Sequence, residues 1–149
     1  DPRNADLTGP DAVQVIGLKR MSTDLAKWAH AANDKLHGIE YREDYDIPND
    51  PQSLFTRSDH YRYALKGIPV LFWFSGLHAD YHQPDDEIDK IDFRKLCRVA
   101  QTVYTTAFEV ANQPTRPKVD LPLDISGLGS AGDDHDHDHD HDDHDHEPL

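Results

Sequence analysis

Residues 75–86 read Ser-Gly-Leu-His-Ala-Asp-Tyr-His-Gln-Pro-Asp-Asp and gather His78, His82, Asp80, Asp85, Asp86 and Tyr81 in one short stretch. Imidazole and carboxylate groups are zinc ligands, and a catalytic zinc keeps one position open for water. A tyrosine hydroxyl beside such a site is a suitable donor toward developing negative charge. Spacing alone leaves the bland alternative open, since surface loops are often rich in His and Asp. A second candidate lies at the end of the chain. There His135, His137, His139, His141, His144 and His146 are interspersed with nine acidic residues over positions 133–149. Neutral imidazoles beside carboxylates bind zinc, copper or nickel. The other reading of this tail is a solubilising acidic segment. No apolar side chain precedes Leu149 except that of Pro148, so disorder is expected there.

The elements that must hold the 75–86 stretch are legible around it. Ile68 to Phe74 is the most apolar run and reads as a central strand entered through Pro69. The stretch therefore begins at the carboxyl end of a strand, where open α/β sheets bind ligands. Asp92 can cap a helix over about 93–112. Its residues Phe93, Leu96, Cys97, Ala100, Val103, Tyr104, Ala107, Phe108 and Ala111 repeat at helical spacing and predict one broad buried face. Cys97 on that face reads as a small core residue. Trp28, Trp73 and the aromatic residues of this helix are likewise expected in the core. Upstream, Ala12–Gly17 predicts a buried strand. Ser22 or Thr23 caps a helix running to about Leu36, and Ile39–Tyr45 alternates like a half-buried strand. Ser58-Asp59-His60 can open a short helix that Gly67 ends. Strands alternating with helices predict an α/β layered protein, with strand order open.

Composition narrows the function classes. The net charge is −14, and the tail contributes nine negative charges, so the body carries −14 + 9 = −5. An acidic body without a basic stripe argues against nucleic acid as a partner. No apolar run approaches the roughly 20 residues that span a bilayer. Cys97 is the only cysteine, which excludes an intrachain disulfide. The chain opens at Asp1-Pro2 in what reads as a loop, which points to a fragment whose true N-terminus lies elsewhere.

Several short motifs occur in a fixed order: Arg57-Ser58-Asp59-His60, Gly67-Ile68-Pro69-Val70, Phe74-Ser75-Gly76, Asp80-Tyr81-His82-Gln83-Pro84-Asp85-Asp86, Ile88-Asp89-Lys90-Ile91-Asp92 and Glu109-Val110-Ala111-Asn112. Together they resemble the C-terminal half of the co-catalytic zinc aminopeptidases, the family of bacterial leucyl aminopeptidases, aminopeptidase Y and glutamate carboxypeptidase. The resemblance covers about residues 1–120. It implies the C-terminal part of a zinc-peptidase fold, a phosphorylase/hydrolase-like three-layer α/β/α sheet. It divides the chain into a catalytic-domain portion at 1–120, a linker at 121–132 and the His/Asp-rich tail at 133–149. It also implies a role for individual residues. His82 matches the last zinc ligand, and Tyr81 matches a position that helps stabilise the tetrahedral oxyanion. Arg57 matches a substrate-contacting arginine of some members, and Phe74 an aromatic lining the pocket for the N-terminal side chain. Asp59 and His60 match residues that orient the site.

The activity implied is removal of N-terminal residues from peptides, with two zincs per complete site and a bridging water activated between them. Peptides and divalent metal ions are the implied partners, and the periplasm or the exterior the implied location. The family's upstream His-Asp and Glu-Glu motifs and its further Asp ligand do not occur in this sequence. The chain by itself is therefore expected to be inactive. Two rival readings remain open. One is a relative that keeps the fold without the zinc site, and the other is a metal-storage module acting through its tail. Among single residues, His82 and His78 can be solvated loop histidines. Tyr81 can pack on the sheet, Arg57 can form a surface salt bridge, and Asp85 and Asp86 can serve only to shape the loop.

Overall fold

The computed structural model describes residues 7–36 and 38–124. Six regular elements follow one another: β1 (Ala12–Ile16), α1 (Thr23–Lys35), β2 (Glu40–Arg42), α2 (His60–Ala64), β3 (Phe72–Phe74) and α3 (Phe93–Ala111). Among them β1 is fully buried, as an apolar run between two partners should be. The strands form one sheet in the order β2-β1-β3. Val13 pairs with Tyr41 in parallel, and Val15 pairs with Trp73 in antiparallel register.

The two faces of β1 seed two cores, because alternate side chains point to opposite sides. Val13 and Val15 pack with Leu18, Ala29 and Ile39, and Trp73 and Val99 close over them. Ile16 packs with Met21, Leu54, Phe55 and Ala64, joined by Phe72, Phe74 and Tyr61. Residues of α1 and α3 thus cover one face, and α2 with the turn at Leu54–Thr56 covers the other. This is α/β layering, as the alternation of elements predicts. The helix starts also follow the sequence. The Ser22 hydroxyl accepts from the Leu25 N–H, and the Asp92 carboxylate accepts from the Lys95 N–H. Such caps typically contribute about 1 kcal/mol each.

Two expectations are corrected. Among the described strands the run ending at Phe74 is not the central one. Only Phe72–Phe74 pairs, at one edge of the three strands and half-buried, while β1 holds the centre. An unbroken apolar run signals burial on both faces but not position within a sheet.

The second correction concerns α3. Its apolar stripe does not face the sheet: Phe93, Leu96, Tyr104 and Phe108 are each more than half exposed, and Cys97 is exposed as well. The buried row is instead Lys95, Thr102 and Thr106. Specific polar ties hold the helix at this rotation. Lys95 Nζ donates to the Thr8 carbonyl at 2.8 Å, Arg98 pairs with Asp11, and Lys35 pairs with Glu109. Helical periodicity reveals a stripe, but contacts distant in sequence decide which stripe turns inward.

Gly17 ends β1 with φ +111°, and a Cβ there would stand 2.3 Å from the Val70 carbonyl oxygen. The backbone before β3 can approach β1 this closely only over a glycine. Gly17→Ala is expected to cost roughly 2 to 3 kcal/mol, from the strained dihedral and the backbone clash together. A urea melt of the variant checks this, and an unchanged midpoint would contradict the close approach.

Candidate functional site

The 75–91 segment leaves β3 and is stitched into consecutive turns. Tyr81 N–H donates to the His78 carbonyl at 3.1 Å, Gln83 N–H to Asp80 at 2.8 Å, and Asp86 N–H to Gln83 at 3.1 Å. Lys90 braces it from the far end, its ammonium donating to the Asp80 carboxylate at 2.9 Å and to the Asp85 carbonyl at 2.5 Å. The Asp80 carboxylate beside Lys90 raises the lysine's pKa, so this brace stays charged. The loop is exposed at its tip but tied by its own polar groups.

His82 sits at that tip, exposed, with φ +58°. A left-handed backbone is uncommon for a residue with a Cβ, and such strain clusters at functional sites. Its ring stacks on Tyr81 with centroids 4.0 Å apart. His78 meets Tyr81 edge-on at 6.1 Å, and its Nε2 lies 3.7 Å from the Asp86 carboxylate. Arg57 reaches the same group from another element, its guanidinium carbon 5.9 Å from the Tyr81 ring centre, within cation–π range. The structure therefore brings together Arg57, Tyr81 and His82, three of the residues the sequence singles out, and adds His78. The sequence leaves His78 open as a solvated loop histidine, and the resemblance assigns it no role. Its spacing of three from Tyr81, closing one turn, was the signal that could have found it.

Phe74 and His60 belong to the core beside this group. Phe74 is half-buried, stacked on Phe72 at 5.8 Å and edge-on to Tyr45 at 6.2 Å. His60 lies between Phe72, stacked at 4.5 Å, and Phe55, edge-on at 5.5 Å. It thereby pins the start of α2 to β3, and Arg57 precedes it by one turn. Asp59 is exposed at the start of α2 and makes no side-chain cap. Asp85 lends the loop its carbonyl, and Asp86 faces His78. The tail histidines, His135, His137, His139, His141, His144 and His146, lie outside the described residues.

Burial lowers the pKa of His60, partly opposed by a backbone hydrogen bond at Phe55 and by the Asp59 charge. Its Nε2 is buried and has no hydrogen-bond partner among the described residues. The folded protein therefore resists a proton that the unfolded chain accepts. The resulting stability is complete above about pH 6.5, the ordinary value, and is lost as the pH falls toward the lowered one. We expect the urea midpoint to fall between about pH 7.5 and about pH 5.5. His60→Phe keeps the ring stack without the titration, so it should fall less. Equal slopes in the two proteins would count against this assignment.

Zinc chemistry calls for several converging donors. His82 offers one exposed imidazole, which suits a single ligand position. Among the described residues no three His, Cys, Asp or Glu side chains gather closely enough to hold a metal ion. These residues fit one position of a zinc centre and not a whole one.

A layered sheet with a His-, Asp- and Tyr-bearing loop at a strand end is compatible with an α/β metallopeptidase, and the match to a family model supplies that class. Within it, the model of Peptidase family M28 matches residues 4–107, and the chain belongs to that family. No curated protein matches the chain, and no solved structure does. No helix among the described residues is long and apolar enough to cross a membrane.

Proposed function

We propose that the chain is the site-bearing C-terminal portion of an aminopeptidase with a three-layer α/β/α fold, and that His82 is one ligand of its two-zinc centre. The supporting observation is the tip of the 75–91 loop: a strained, outward-facing imidazole stacked on a tyrosine, with an arginine over the same ring. Each group has work that suits its position. His82 presents a ligand nitrogen, and Tyr81 directs a hydroxyl toward the oxyanion that forms when the peptide carbonyl is attacked. Arg57 holds the substrate, and Phe74 forms a wall for an apolar N-terminal side chain. His60, stacked on Phe72, fixes the segment that carries Arg57, and Asp59 lies beside it at the start of α2. Bound zinc would supply Lewis-acid polarisation of the carbonyl and an activated water. The remaining ligands and the general base are carboxylates and imidazoles outside this sequence. We place the protein in the periplasm or exterior, where the His/Asp tail would capture scarce metal.

The test is hydrolysis of aminoacyl-p-nitroanilides. A complete catalytic unit containing this chain should turn over with zinc and stop on chelation, while the 149-residue chain alone should be inactive. A complete unit that binds zinc through this loop yet hydrolyses no peptide would mark a non-catalytic relative. Zinc-dependent turnover by the chain alone would overturn the division of the site. Zinc binding lost wholly on truncation at Gly132, with no peptidase activity, would favour the storage reading.

A further inference from the structure

A cavity of about 530 Å³ lies between the segment before β1, the end of β3 and the first turns of α3. That size is ordinary for a small-molecule site. Its walls are mainly apolar, built from Leu7, Pro10, Trp73, Ile91, Leu96 and Val99, with Lys95 set among them. Lys95 is nine-tenths buried. Its ammonium donates to the Thr8 carbonyl at 2.8 Å and to the Thr8 hydroxyl at 2.6 Å. An ammonium has three protons to give, and among the described residues the third meets no acceptor. Nor does Lys95 form an ion pair there. Asp92 lines the same cavity, but its carboxylate faces the backbone, accepting from the Lys95 N–H at 3.0 Å. A buried cation is unfavourable unless it is paired, and the Asp92 charge only partly offsets the burial of Lys95. The cavity thus offers an apolar volume and an ammonium that, among the described residues, donates to no carboxylate.

We propose that this cavity binds a small apolar carboxylate whose acid group pairs with Lys95. Lys90 at the same cavity is held by Asp80, which leaves the Lys95 ammonium for a ligand and suits a monoanion, and Asp92 at the same wall disfavours a doubly charged ligand such as phosphate. Burial lowers the Lys95 pKa in the empty cavity, and only the Asp92 charge opposes this. A bound carboxylate would favour the charged form of Lys95. The site is separate from the zinc reading and does not depend on it. Lys90 connects the two regions, since it lines the cavity and braces the Asp80–Asp85 turn.

Calorimetric titration of the full chain with 4-phenylbutyrate, its uncharged amide and N-acetyl-leucine tests the assignment. The acid is expected to bind about 10- to 100-fold more tightly than the amide, as for a hydrogen bond to a charged group. Lys95→Met should abolish the preference for the acid over the amide. Ile91→Trp, at an exposed position on the rim, should weaken both ligands, and it serves if the lysine variant does not fold. Tighter binding of N-acetyl-leucine would assign the carboxylate to a peptide-type ligand, and tighter binding of 4-phenylbutyrate to a free acid; both support the site. Equal binding of acid and amide, no binding of either, or a preference that survives Lys95→Met would overturn it.

Discussion

Replacing His82 with glycine is expected to abolish peptidase activity in the complete catalytic unit while leaving its thermal stability unchanged or slightly raised. The opposite directions of these effects make the experiment informative. At φ +58° a residue with a Cβ is strained by about 1 kcal/mol or more. Glycine relieves that strain at a modest cost in unfolded-state entropy. The histidine is exposed, so no core contact is lost with it. If the ring were merely a solvated loop side chain, activity would survive. If it is a zinc ligand, kcat/KM should fall by at least about 100-fold, since even residues that only support a ligand cost 10- to 100-fold. Zinc affinity should fall with it. Tyr81 loses its stacked partner in this variant, so the zinc titration is the cleaner reading. Retained zinc affinity alongside lost activity would shift the assignment from His82 to the tyrosine.

The largest loss of stability is expected from Arg20→Met. Arg20 and Asp46 form an ion pair at 2.8 Å, with side chains 5% and 0% exposed. The guanidinium also donates to the carbonyls of Ile47 at 2.5 Å and Asp124 at 2.9 Å, and it lies 4.6 Å over the Phe55 ring. Asp46 accepts in addition from the Lys19 N–H at 2.7 Å. One side chain thus joins the end of β1, the loop after β2, the turn before Arg57 and the last described residue. Removing it leaves Asp46 charged in the interior, which costs about 3 to 5 kcal/mol. In a domain of this size that corresponds to a fall in melting temperature of roughly 10 to 20 °C. Asp46→Asn in the same chain removes the stranded charge and still accepts from Lys19, so the double variant should lose less than the sum of the single ones. Strict additivity of the two changes would show that the pair is not coupled.

Much of the fold follows from the order of the residues. Local signals suffice where the deciding interaction is itself local. Ser22 and Asp92 cap the helices they precede, because a side-chain oxygen satisfies an N–H only three residues away. The run Ala12–Ile16, apolar but for Gln14, predicts a buried strand and is one, although its central place in the sheet is not local information. The short motifs from Arg57 to Asn112, taken in their order, sufficed to reveal the family.

Only the tertiary structure decided features that depend on partners distant along the chain. The rotation of α3 is the clearest. Its apolar stripe and its polar row each repeat with the helix, and contacts from Lys95 to Thr8 and from Arg98 to Asp11 turned the polar row inward. The edge position of β3, Gly17 beneath Val70, and Arg57 over Tyr81 are equally nonlocal. Periodicity specifies which residues share a face. Which face meets the core is settled by the sum of long-range contacts, and no local pattern contains that sum.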